Sequence, residues 1–310
     1  MERSSALPPS PFLVHGAMLL TAFLVSTSFT VGKAITPYLD PVILTLIRFL
    51  IASTLFWLLI RRHAALSLPT PLALFRYSLI SAALVGFFWL MFLALRHTSP
   101  LNTAVIFTTV PGLSGLYSWF LVRERLKANQ LIALFLAMAG AIWVICDGKL
   151  TRLWQLHFNS GDLLFFAACL FMAAYTPLVK KFHRGESMRV MTFWILITGS
   201  CWLFLLAIPK LEIFSHLQDV PIRVWIGINY LAIFTTITTF FLTQWATLYL
   251  GPTRVAAYSF TYPIYIVVIE WALRDTLPSF ATVLGVMLFF FPAMYVLQKS
   301  LVPESKKTGK

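Results

Sequence analysis

The sequence predicts an all-α integral membrane protein of ten transmembrane helices, arranged as two inverted five-helix repeats. Three observations predict it. Of the 310 residues, 59% are hydrophobic and only 11% charged, with a mean hydropathy of +0.82. A soluble domain carries about 25% charged residues, so too few remain here to clothe a water-facing surface. Second, apolar runs of the ~20 residues needed to cross a hydrocarbon core occur ten times. Third, a stretch with unusual punctuation, TSPLNTAVIFTTVP at 98–111, returns as LGPTRVAAYSFTYP at 250–263.

The ten runs lie at 13–35, 41–60, 75–95, 100–122, 129–147, 161–183, 188–209, 223–249, 251–274 and 278–298. The polar stretch MERSSALPPSPF precedes the first without a small-residue cleavage pattern, so that run reads as a retained span. Gaps as short as TPYLD and RHTSP force antiparallel neighbours. Orientation follows the basic residues. With the N-terminus inside, sixteen fall on the inner side, among them Arg61, Arg62, Arg76, Lys180 and Lys181. Seven fall outside: Lys33, Arg96, Lys149, Arg152, Lys210, Arg223 and Arg274. Both termini are therefore expected in the cytoplasm, with 299–310 a cytoplasmic tail, and the membrane is expected to be a bacterial inner membrane. The net charge of +13 is explained by this topology and not by nucleic acid.

The repeat has an offset of 152 residues. It pairs Pro100 with Pro252, Ala104 with Ala256, Thr109 with Thr261, Pro111 with Pro263, Trp119 with Trp271 and Leu121 with Leu273. Pro100 and Pro252 suit a first helical turn, where the missing N–H is harmless. Pro111 and Pro263, eleven residues on, fall near mid-span, where proline kinks a helix and frees a carbonyl. Such a carbonyl is tolerated in a membrane only against protein or a water-filled cavity, so both kinks are expected to face inward. The paired helices are the fourth and ninth. Five spans apart, they are inserted in opposite directions, which places a solute site near the midplane between residues 13–147 and 161–298.

The stretch FLALRHTSPLNTAVIFTTVPGLSGLYSWFLVRERLKANQLIALFLAMAGAIWVI resembles the EamA domain of the drug/metabolite transporter superfamily. The resemblance rests on Ala94–Leu95, a polar turn, Pro100, the mid-helix Pro111 and Glu124 closing the helix, with Arg48 in the second helix. The second half departs from the pattern, since Thr276 stands where Glu124 would recur. The resemblance implies two EamA-like halves and movement of small metabolites, with substrates differing widely among members. It leans toward export of a small metabolite such as an amino acid or related compound, with uptake or exchange as the alternative.

Arg48 is the costliest residue, since a charge at a helix centre costs about 2.5–3.5 kcal/mol on insertion scales. It either holds an anionic group or bonds freed backbone carbonyls. Glu270 either pairs with Arg274 four residues on or faces the cavity, where it would be the carboxylate for proton exchange. Glu124 is expected to pair with its basic neighbours in RERLK. The candidates for lining a solute cavity are Trp89, Phe92, Asn102, Thr103, Phe107, Tyr175, Thr243, Gln244, Tyr258 and Tyr262, an aromatic set with a few hydrogen-bonding groups. Each is also a plausible packing residue. Pro111 and Pro263 are the candidate hinges.

Cys146, Cys169 and Cys201 have no CxxC spacing, and the six histidines show no HExxH or paired-ligand pattern. No GxxxxGK or GxSxG motif occurs. No cofactor or metal is expected, and neither a lipid-acting enzyme nor a scaffold is favoured. The expected partners are the bilayer and a small solute, coupled to protons or a counter-solute.

Overall fold

The computed structural model describes residues 9–61, 68–98, 106–124, 128–145, 159–274 and 280–285, with isolated positions 103, 149, 151, 287, 291 and 295. No strand occurs among the described residues. Their α-helices are α1 (Pro11–Ile35), α2 (Pro41–Ile60), α3 (Pro71–His97), α4 (Val110–Val122), α5 (Ala128–Ile145), α6 (Ser160–Phe182), α7 (Met188–Ala207), α8 (Ile222–Ala232), α9 (Thr239–Leu250), α10 (Pro252–Ala257), α11 (Tyr262–Arg274) and α12 (Phe280–Gly285).

The sequence sets most of these starts. Pro11, Pro41 and Pro71 each occupy the first turn. Before them Ser10, Asp40 and Thr70 accept from the backbone N–H groups of Leu13, Val42 and Ala73, which satisfies donors a helix leaves open. Asn159 and Asp162 form a reciprocal capping box at the start of α6.

Among the described residues, six helices are long and apolar enough to cross a membrane: Pro11–Ile35, Pro41–Ile60, Pro71–His97, Ser160–Phe182, Met188–Lys210 and Ile222–Leu250. The last is α8 and α9 joined by a π-helical segment, Ile233–Thr238. Val110–Val122 and Ala128–Gly140 are shorter apolar helices. Of the expected tenth span, only Phe280–Gly285 and isolated positions are described; the tail from 299 lies outside the described residues. Phe75, Phe135, Leu163 and Ile222 stand exposed around the bundle, an apolar surface that suits lipid. This is an integral membrane protein.

The most extensive packing joins α3 to α6, with α2 against α7, α4 against α6 and α1 against α9 and α11. Glycines allow close approach at several crossings. An added Cβ would stand 2.7 Å from the Phe171 ring at Gly86, 2.8 Å from the Phe49 ring at Gly199, and 2.9 Å from the Ile35 side chain at Gly227.

The fourth and ninth expected helices differ from the kinked rods the sequence suggests. Each is interrupted by a tighter turn. After a turn at Thr108 and Thr109, helix restarts as Val110–Val122. After a 3₁₀ turn, Tyr258–Thr261, it restarts as Tyr262–Arg274. Pro111 and Pro263 are thus the second residues of new 13-residue helices whose ends stand at the same 152-residue offset. A proline there costs nothing, because the first turn has no N–H to lose. A threonine hydroxyl tightens each turn: Thr109 Oγ1 donates to Ile106 O at 2.7 Å, and Thr261 Oγ1 to Tyr258 O at 2.6 Å.

Candidate functional site

The two breaks meet at an enclosed cavity of about 50 Å³ in the middle of the bundle. Phe107, Val110, Ser259 and Tyr262 come from the breaks, Met18, Thr21, Ser28 and Phe29 from α1, and Phe87, Phe88 and Met91 from α3. Tyr175 and Thr176 of α6, Thr235 of the π segment, and Thr239, Phe240 and Thr243 of α9 complete most of the wall. The aromatic rings support one another: Phe107 and Tyr262 lie 5.2 Å apart between centres, Phe29 and Phe107 5.8 Å, and Phe88 and Phe240 5.8 Å. The described lining residues are all uncharged.

Of the residues expected to line a site, Phe107, Tyr175, Thr243 and Tyr262 do so. Thr103 lies in a small adjoining space with Phe107, Ser259, Tyr262 and Pro263. Gln244 stands behind the wall, accepting from Thr192 Oγ1 at 2.9 Å and lying beside the Tyr175 hydroxyl. The Tyr258 hydroxyl is hydrogen-bonded to His15 Nδ1 of α1. Phe92 is fully buried against Gly32, and Trp89 is half-buried; both pack helices, away from the lining. Asn102 and the Glu270 side chain lie outside the described residues.

Arg48 is fully buried beside the wall. Its Nε donates to Thr236 Oγ1 at 2.5 Å, and its Nη2 donates to Thr235 O and Oγ1, each at 3.1 Å. The π segment makes this possible, because widening the turn leaves Thr235 O within reach of a foreign donor. Thr235 and Thr236 also tie themselves to Leu231 O. Of the two roles open to Arg48, bonding to freed backbone carbonyls is therefore realised. Sequence reading missed the π segment, Thr235, Ser259 and Thr176. The run TTITT was the available signal, since adjacent threonines bond backbone carbonyls.

Polar contacts tie the helices together toward each end of α6. At one, Lys180 Nζ lies 3.5 Å from Glu124, Thr176 Oγ1 reaches Pro252 O at 3.4 Å, and Ser114 bonds Thr176 at 3.3 Å. Glu124 thus finds a partner 56 positions away, while Arg125 and Lys127 lie outside the described residues. At the other, Lys33 Nζ donates to Leu95 O at 2.6 Å, Arg96 Nη2 to Leu39 O at 2.9 Å, and Thr98 Oγ1 to Asp162. Lys210 and Asp40 pair at 2.8 Å. Asp162 and Lys180 lie on opposite turns of α6, about 27 Å apart along its axis.

A larger crevice of about 720 Å³ separates α4 from α5. Its walls include the exposed Leu116, Trp119, Leu131 and Phe135, so it opens on the apolar flank, apart from the central site.

A cavity between interrupted helices in a membrane-spanning bundle fits a membrane transporter, the class that the comparisons give. The chain belongs to the EamA-like transporter family, whose sequence profile matches it twice, over residues 13–146 and 159–298. It is similar to the uncharacterized transporter YyaM of Bacillus subtilis (strain 168), 24% identical over 202 residues, which is 65% of this chain and 66% of that one. An uncharacterized transporter of Archaeoglobus fulgidus is 24% identical over 87% of this chain and 92% of its own length. The S-adenosylmethionine/S-adenosylhomocysteine transporter of Chlamydia trachomatis serovar L2 is 26% identical over 64% of this chain and 69% of its own. One crystal structure matches with a TM-score of 0.67 at 18% identity, covering 92% of this chain and 95% of that chain, and shares the fold.

Proposed function

We propose that this transporter exports a small, partly apolar organic metabolite by alternating access. It does so as two inverted five-helix halves, residues 13–147 and 161–298, in an inner membrane with both termini cytoplasmic. The carrying observation is the central cavity, lined by both interrupted helices, with polar contacts joining the helices toward each end of the bundle. At about 50 Å³ it has room for a few waters but is too small for an organic solute. Solute movement therefore requires one set of these contacts to part while the other holds. Pro111 and Pro263 are the hinges of that motion, since helix continuity is already lost there. The relative named for two small metabolites supports a small-metabolite cargo. An amino acid or related compound suits a cavity of aromatic rings and hydroxyls. Uptake or exchange is the second reading.

With no ATP-binding motif in the sequence, transport is secondary, driven by the solute gradient, protons or a counter-solute. Glu270 is the proposed proton carrier. The test compares metabolites outside cells that express the chain and cells with an empty vector, followed by flux in proteoliposomes. A compound accumulating outside only with the protein supports export. One depleted faster from the medium replaces export by uptake. A protein that moves no solute in either assay overturns the reading.

A further inference from the structure

The cavity wall carries no charge among its described residues, yet a full positive charge stands directly behind it. The Arg48 guanidinium contacts two wall residues: Thr235, through Nη2, and Phe88, whose ring centre lies 4.3 Å from Cζ. Every partner of this guanidinium is neutral, and Nη1 has none. The ion pairs among the described residues join Lys180 to Glu124, His183 to Glu186 and Lys210 to Asp40. Arg48 takes part in none of them. A guanidinium keeps its proton in a protein, and a buried charge without a counter-charge is strongly unfavourable.

A second arginine, Arg254 of α10, is 7% exposed, with Nε and Nη2 unpartnered. The next two residues, Val255 and Ala256, line the cavity, which turns Arg254 itself to another face of α10, where Glu124, Tyr258 and His15 are the titratable groups it feels. The charge behind the wall is therefore that of Arg48, in a lining with no described carboxylate. In a water-poor interior such a field reaches across one layer of side chains.

We infer that Arg48 makes the cavity a selector of solute charge. It admits organic anions and zwitterions that carry a carboxylate, and it rejects organic cations. The solute's carboxylate supplies a counter-charge that the described lining lacks, while the ring-lined wall takes the apolar body. Arg48 is a positioning and selecting residue here, acting through the wall. This inference rests on the transport reading, and the test separates the two.

Proteoliposomes holding the full chain are incubated with deproteinised cell extract, and solutes retained above protein-free liposomes are identified by mass. The expected retained solutes carry a carboxylate. Their uptake is then competed with three probes sharing one ring: 3-phenylpropionate, phenylalanine and phenethylamine. The first two should compete about tenfold better than the cationic third, the size of effect a unit charge gives over roughly 10 Å at an effective dielectric of about 20. Arg48→Met should flatten that ranking, whereas a purely structural role would lower uptake without reordering the probes. If Arg48→Met fails to fold, Arg48→Lys serves: it keeps the charge and loses the planar fork, so the ranking should persist at a lower rate. Retained cations, a ranking unchanged in Arg48→Met, or a ranking lost in Arg48→Lys overturns the inference and leaves transport standing. Retention of no solute overturns the transport reading and this one with it.

Discussion

The break before Pro111 and the break before Pro263 share a skeleton and differ in surroundings. In both, a threonine two residues before the proline closes the turn through its hydroxyl, and a 13-residue helix follows. Around the second break Tyr258, Ser259, Phe260, Thr261 and Tyr262 are all buried. Around the first, Thr109 is half-buried and borders the crevice between α4 and α5. Where the first break offers Phe107 to the cavity, the second offers Ser259 at the equivalent position. The two breaks share a backbone device and differ in chemistry: the first supplies Phe107 and Val110, the second Ser259 and Tyr262.

The largest expected effect sharpens this difference. Gly251 joins α9 to α10 ahead of the second break with φ 84° and ψ 159°, a region open essentially to glycine alone. An added Cβ there would also stand 3.2 Å from Glu124 Oε1. Gly251→Ala should cost about 1–3 kcal/mol, read as a fall in thermal unfolding temperature in detergent. An unchanged temperature would mean the second break tolerates another entry path.

Next in size are the prolines. Pro263→Leu should leave the protein inserted and lower turnover roughly tenfold, about 1.4 kcal/mol on the barrier, because it lets helix propagate through the proposed gate. Pro111→Leu should lower turnover less, since one flank of that turn is open. Equal rates in both variants and the parent would break the hinge assignment.

The smallest effects test the threonines. Thr261→Val removes the hydroxyl that donates to Tyr258 O at nearly constant shape and should cost about 0.5–1 kcal/mol. Thr109→Val, at a half-buried site, should cost less. Chemical denaturation of both variants in the same detergent decides this, and a larger loss at Thr109 would reverse the contrast drawn between the breaks.

Much of this architecture was legible in the sequence. Span starts follow Ser10–Pro11, Asp40–Pro41 and Thr70–Pro71, because capping is a local event. The 152-residue offset also anticipated which positions would share a geometry. What escaped depended on distant partners or on rotation about a helix axis. The partners of Arg48 lie 187 and 188 positions away, on a segment whose widened turn has no strict sequence code. Phe92 and Phe88 are one turn apart on α3, yet only Phe88 reaches the cavity. Gln244 reads like a lining residue and sits just behind one. Composition cannot rank such neighbours; the azimuth of the helix does.

The glycine crossings limit how the molecule can move. Gly86 against Phe171, Gly199 against Phe49 and Gly227 against Ile35 each join a helix from one matched stretch to a helix from the other. Each works as a tooth seated in a notch. Sliding the stretches past one another would drive a ring or a methyl group into bare backbone at three places at once. Rolling about those seats leaves them engaged. The seam between the stretches is therefore geared for tilting and locked against piston motion.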